Sequence, residues 1–208
     1  MKYFRFHFTV FITLLLSGII TATVMASPIY STFGPGDTYD ISLGYSVGGL
    51  QDSITAAPFT PASGAILGSI ELAVWYSYGT NQLTIDLTSD SSGLPGSIIE
   101  SFAFSGIATY PGEILFQKST TMPYLSAGTP YWLVASTDSG NGFAWFLNNI
   151  GAVGVSQYSP SSSWRHFPDI EAPTFRLNPV PEPTTMLLLG TGLVGVAGAA
   201  RRRKKNRA

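Results

Sequence analysis

The chain of 208 residues contains no cysteine. Disulfide staples and thiolate metal sites are therefore excluded, and any fold must hold through its apolar core alone. Cations are almost as scarce in the interior. Between residues 27 and 178 only Lys118, Arg165 and Arg176 are basic, against eleven acids. Phosphate recognition needs a basic footprint, so nucleic acid is excluded as a partner. The formal charge of the whole chain, −1, hides this acidity, because eight of the eleven basic residues stand at the two ends. Helical periodicity is missing from the interior as well, and long apolar runs occur only at the termini.

Both termini read as processing segments. Lys2 and Arg5 precede an apolar run from Phe6 to Ile20, and Val24-Met25-Ala26 then offers small residues at the positions a signal peptidase reads. This is the layout of a secretory signal, handled by the Sec machinery and cut by signal peptidase between Ala26 and Ser27. The run is broken by Thr9, Thr13, Ser17 and Gly18 and falls short of the ~20 apolar residues of a membrane span, which favours cleavage over retention.

At the other end, Val180-Pro181-Glu182-Pro183 leads into an uncharged stretch from Thr184 to Ala200, followed by Arg201, Arg202, Arg203, Lys204, Lys205, Asn206 and Arg207. As a helix the stretch would be about 25 Å long, slightly less than a ~30 Å hydrocarbon core. Basic clusters stay on the cytoplasmic side, so this end is expected to act as a stop-transfer anchor, a single C-terminal transmembrane helix with its Arg/Lys cluster inside. Gly190, Gly192, Gly195 and Gly198 give the helix a smooth surface that another membrane helix can approach closely.

This tail resembles the PEP-CTERM sorting domain of Gram-negative bacteria that make exopolysaccharide: Val180 to Pro183 match the motif, Met186 to Ala200 the helix, and Arg201 to Arg207 the basic end. The resemblance implies that exosortase, a membrane-embedded cysteine protease or transpeptidase, reads the motif and releases or re-attaches the exported protein. It covers about the last thirty residues. The chain thus divides into a signal peptide (1–26), an extracellular body (27–178) and a sorting segment (179–208).

Within the body, apolar and polar residues alternate with the two-residue period of half-buried strands. Leu83, Ile85 and Leu87 oppose Thr84, Asp86 and Thr88. Ile70, Leu72, Val74 and Tyr76 oppose Glu71, Ala73, Trp75 and Ser77, and Phe143, Trp145 and Leu147 repeat the pattern. Further strands are predicted at 41–47, 97–104, 113–118, 130–136, 153–158 and 174–177. Turn formers separate them, such as Ser91 to Gly96 and Asp138 to Gly142. The expected fold is all-β, an antiparallel sandwich or jelly roll. Phe59, Ile70-Glu71-Leu72, Asp90 to Gly96, Gly128 to Leu133 and Trp145 also resemble the exported choice-of-anchor modules of the R type. That resemblance implies fold and location without a substrate.

Candidate chemistry is sparse. Gly44-Tyr45-Ser46-Val47-Gly48 fits the Gly-x-Ser-x-Gly elbow of α/β-hydrolases, with Asp138 and His166 in the required order, but no helical pattern follows it. Asp86, Asp90, Glu100 and Glu113 are the carboxylates near enough in sequence to pair as in a glycosidase, though Asp86 and Glu100 read as solvated strand residues and Asp90 as a turn residue. Asp37, Asp40 and Asp52, in glycine-rich connections, and Asp86 with Asp90 are candidate oxygen ligands for a structural Ca²⁺. No other cofactor and no catalytic residue is expected. Trp75 and Trp132 fall out of phase with the apolar positions of their strands, which makes them the candidate rings for stacking on sugars. The expectation is a non-enzymatic protein of the cell surface or extracellular matrix, structural or adhesive in an exopolysaccharide layer. The alternative is a carbohydrate-binding module or weak glycan-active enzyme on the same scaffold, with extracellular polysaccharide as partner.

Overall fold

The computed structural model describes residues 27–159 and 162–181. The signal segment through Ala26, and Glu182, Pro183, the apolar stretch and the cluster Arg201, Arg202, Arg203, Lys204, Lys205 and Arg207, lie outside the described residues.

Thirteen strands are described: β1 (Tyr30–Ser31), β2 (Asp40–Gly48), β3 (Ile54–Phe59), β4 (Ala65–Tyr78), β5 (Gln82–Asp90), β6 (Pro95–Ser105), β7 (Glu113–Lys118), β8 (Tyr124–Leu125), β9 (Tyr131–Ser136), β10 (Gly142–Leu147), β11 (Val153–Ser159), β12 (Ser162–Glu171) and β13 (Phe175–Pro179). One 3₁₀ turn, Gly49–Gln51, is the only helical element among the described residues, and none there is long and apolar enough to cross a membrane.

The strands form two sheets in which every strand pair is antiparallel. The six-stranded sheet runs β12-β11-β3-β9-β5-β6. The seven-stranded sheet is organised around β4. β7 occupies one edge of β4 from Ser69 to Val74, so β13 and β10 must follow each other along the opposite edge, at residues 67–72 and 74–78. β2 extends the sheet beyond β10, and β1 beyond β13.

The predicted alternations supply the centre of the core between the sheets, joined by residues such as Ala57 and Phe59 of β3. Ile70, Leu72 and Val74 of β4, Leu83, Ile85 and Leu87 of β5 and Trp145 of β10 are all 1 % exposed or less and belong to one cluster. Trp145 resolves the polar part of its ring by donating its indole N–H to the Thr174 carbonyl, 2.8 Å away. This is a β-sandwich, held without a single disulfide.

The registers also set two poles. β4 spans fourteen residues, roughly 45 Å of extended chain, with Ile66 at one end and Tyr78 at the other. β1 pairs antiparallel with β13, Tyr30 opposite Leu177 and the Ile29 N–H on the Leu177 carbonyl. Ser27, where the mature chain is expected to start, and Val180, where the tail begins, therefore lie at the same pole as Ile66. Leu50, Tyr78 and Gly142 mark the far pole.

Candidate functional site

A depression lies on the outer face of the seven-stranded sheet toward the far pole. It is a shallow groove of about 340 Å³. Small residues of three adjacent strands make its floor: Gly44 and Ser46 of β2, Gly142 and Ala144 of β10, and Ser77 of β4. Trp75 and Tyr78 wall it, and the fully exposed Leu50 stands at its rim. The groove exists because the floor lacks side chains. A Cβ on Gly142 would lie 2.6 Å from the Tyr78 ring, so only glycine lets that ring lie flat across the strand. Trp75 is half-buried, with the exposed ring of Tyr110 edge-on to it at 5.9 Å. Next to the groove this outer face is covered by the segment carrying Phe33 and Tyr39, which packs with Ala73 and Phe146 and also holds one side of Trp75, whereas Phe116 of β7 is left exposed. A flat ring beside hydroxyls, with no charge in the floor, is suited to the face of a neutral sugar.

The outer face of the six-stranded sheet differs. Trp132 points away from the core, as its phase predicts, yet it is only 2 % exposed. It packs with Ala56, Val134, Ile54 and Trp164, and the His166 ring stands edge-on to it at 5.8 Å. Three strand spacings, about 14 Å, separate β9 from β12. The two rings therefore lean toward each other over the small, fully buried Ala56 and Ser156. The indole N–H donates to Asp90 Oδ1 at 2.8 Å. Trp132 thus presents no free ring face.

At the tail pole, β13 carries the chain out of the fold. Pro179 is opposite Leu67, and the Val180 N–H donates to the Ile66 carbonyl at 2.9 Å. The strand therefore runs to Pro179, and one further backbone bond holds Val180. Arg176 fastens the strand, bridging Asp37 at 2.6 Å and Glu71 and lying over the Phe33 ring at 5.0 Å from its centre. Desolvation works against the guanidinium charge, but the bonds to Asp37 and Glu71 outweigh it and raise the Arg176 pKa.

Residues 179–204 match the family model of the PEP-CTERM protein-sorting motif. The C-terminal segment is a PEP-CTERM sorting signal. The match starts at Pro179, the last residue of β13, so the motif follows the folded sandwich without a linker. A PEP-CTERM motif implies export and surface sorting by exosortase. No curated protein matches the chain.

The structure scatters the residues that sequence order brought together. Ser46 lies within β2 and is followed by a single 3₁₀ turn, so the strand-to-helix elbow is missing. His166 sits on the other sheet, where its Nδ1 is 2.9 Å from Ser156 Oγ. Ser156 is fully buried, which leaves no approach for a substrate. The carboxylates are likewise occupied. Asp86 accepts from Ser101 Oγ at 2.6 Å, Asp90 from Trp132 and the Gly93 N–H, and Glu113 from the Ala108 N–H. Asp37 is held by Arg176, Asp40 accepts from Ser42, and Asp52 from Ser139. Among the described residues no group of three or more His, Asp or Glu side chains is placed to hold a metal ion.

Glu100 departs most from its reading as a solvated strand residue. It faces inward beside Phe102 and is 5 % exposed. Its carboxylate accepts from Ser119 Oγ (2.6 Å), the Thr120 N–H (2.6 Å), Thr120 Oγ1 (3.1 Å) and the Thr121 N–H (3.2 Å). Burial pushes its pKa up, but these donors outweigh burial and hold it below the usual carboxylate range. Glu100 thereby ties β6 of one sheet to the loop after β7 of the other. Sequence could not reveal this, because the donors are backbone and hydroxyl groups of a loop about twenty residues away.

Proposed function

We propose that the chain is a non-enzymatic protein of the bacterial cell surface or extracellular matrix, structural or adhesive in an exopolysaccharide layer. In this reading the signal peptide delivers it across the inner membrane and the PEP-CTERM tail holds it there until exosortase acts. The observation that carries the reading is the sorting motif abutting a complete sandwich, with Val180 still bonded to Ile66. A body folded up to the motif is cargo for sorting. The dispersed carboxylates and the buried Ser156 favour a role without catalysis. Fractionation of the native host tests this: the wild-type protein is expected with the extracellular polysaccharide, and a Glu182→Ala variant in the membrane fraction. Equal distribution of the two would contradict it.

The groove at Trp75 favours a glycan as the adhesive contact. A glycan array probed with the exported protein is expected to show weak binding that Trp75→Ala abolishes. Binding that survives Trp75→Ala would remove the groove from the account.

A further inference from the structure

We propose that the tail pole is a lipid-docking surface, which seats the sandwich directly on the outer leaflet while its tail is in the membrane. The inference rests on the reading of the tail as a membrane anchor and adds a second, peripheral contact. Ile66, Met122, Tyr124 and Val180 are 47, 55, 64 and 36 % exposed. They form one patch: Ile66 is opposite Tyr124 in the β4–β8 pair, the Leu67 N–H bonds the Pro123 carbonyl, and Val180 bonds Ile66. The exposed Tyr124 ring lies along Gly64, where a Cβ would lie 2.8 Å from the ring Cζ.

Charge is arranged to match. Residues 53–70 and 119–137 contain no charged side chain, in a body with eleven acids, and they meet at this pole through Ala65 opposite Leu125 and the Gly128 N–H on the Pro61 carbonyl. Of the carboxylates at this end, Glu100 is buried and fully bonded, and Asp90, on the other sheet at the end of β5, is held by the Trp132 indole and the Gly93 N–H. The exposed Lys118 stands just before the loop, where it favours anionic headgroups. Apolar side chains with a tyrosine, free of acidic charge, are the composition of a membrane-interface contact.

The short connection keeps this pole close to the membrane. Val180 is four residues from Thr184, the start of the apolar stretch, and four residues span at most about 14 Å. The headgroup layer itself takes up about 5–7 Å of that reach on each side of the hydrocarbon. With β1 and β13 side by side, Ser27 leaves from the same pole, so the sandwich hangs from this end.

The absence of native cysteine makes each introduced thiol unique. The full chain carrying Met122→Cys, Leu50→Cys or Gly192→Cys is labelled with bimane and reconstituted in phosphatidylethanolamine–phosphatidylglycerol vesicles with brominated acyl chains. Gly192→Cys reports the anchor, and Leu50→Cys the far pole. Quenching at Met122→Cys is expected to exceed that at Leu50→Cys by about threefold or more, and adding Tyr124→Asp should bring it down toward the Leu50→Cys level. Equal quenching at positions 122 and 50 while Gly192→Cys is quenched overturns the docking and leaves the anchor standing. An unquenched Gly192→Cys overturns both. Indifference to Tyr124→Asp also overturns the docking, since the patch would then not be what holds the pole down.

Discussion

Two tryptophans that point away from the core have met opposite fates. On the seven-stranded sheet Trp75 borders an open groove with a floor of glycine, alanine and serine. On the six-stranded sheet Trp132 is closed off by Trp164 and His166 of β12 and locked by Asp90. Strand phase tells which face a side chain occupies. Whether that face meets water depends on what the rest of the chain lays over it. The same aromatic is a candidate binding platform in one place and a second small core in the other.

That contrast predicts a ranking of substitutions. Trp132→Ala is expected to cost about 3–5 kcal/mol, because it empties a buried site and takes from Asp90 one of its two donors, and the denaturant midpoint should fall with the slope unchanged. A loss under about 1 kcal/mol would mean that the ring is no more buried than Trp75. Glu100→Leu comes next, at about 2–3 kcal/mol, since Ser119, Thr120 and Thr121 lose their shared acceptor. The pH dependence has a definite sign. The folded-state pKa of Glu100 is lowered, so its contribution is present above the unfolded value near ~4.3 and lost as pH falls through the folded one. Acid unfolding curves of wild type and Glu100→Gln should therefore differ in slope below about pH 4, and parallel curves would remove the clamp.

Trp75→Ala should be milder for stability, about 1–2 kcal/mol, because the ring is only partly buried, resting on the Phe33, Ala73 and Phe146 cluster and edge-on to Tyr110. Its effect belongs to glycan binding. Gly142→Ala is the smallest: the exposed Tyr78 ring can swing off the new methyl at under about 1 kcal/mol, and the groove changes shape. Weakened glycan binding in Gly142→Ala with an unchanged melting curve would sharpen the contrast, whereas unfolding would show that the groove floor is part of the core.

Much of the sandwich was legible because most strands have one dry and one wet face. The β4 and β5 alternations appear in the core residue by residue, and β7 has the predicted bounds, Glu113–Lys118. The strands that escaped notice lack that contrast. In β3, Thr55, Ala56 and Ala57 are all buried and Pro58 interrupts the run, so no period of two is visible. β12 is largely exposed, and its apolar residues Trp164, Phe167 and Ile170 fall three apart among Arg165, His166, Pro168 and Asp169, so no period of two marks it. Missing β12 is also why the covering of Trp132 could not be foreseen. The sorting motif was legible for a different reason: it is read as a linear sequence, motif, apolar stretch and basic cluster in order, and needs no tertiary context.

The central claim is directional: the sandwich is exported and its PEP-CTERM tail is processed at a membrane. Intact-mass spectrometry of the protein from its native host tests it directly. The account predicts a mature chain that begins at Ser27 and lacks the cluster Arg201–Arg207. Recovery of all 208 residues from the cytosol, unmodified and unattached to lipid, would contradict it.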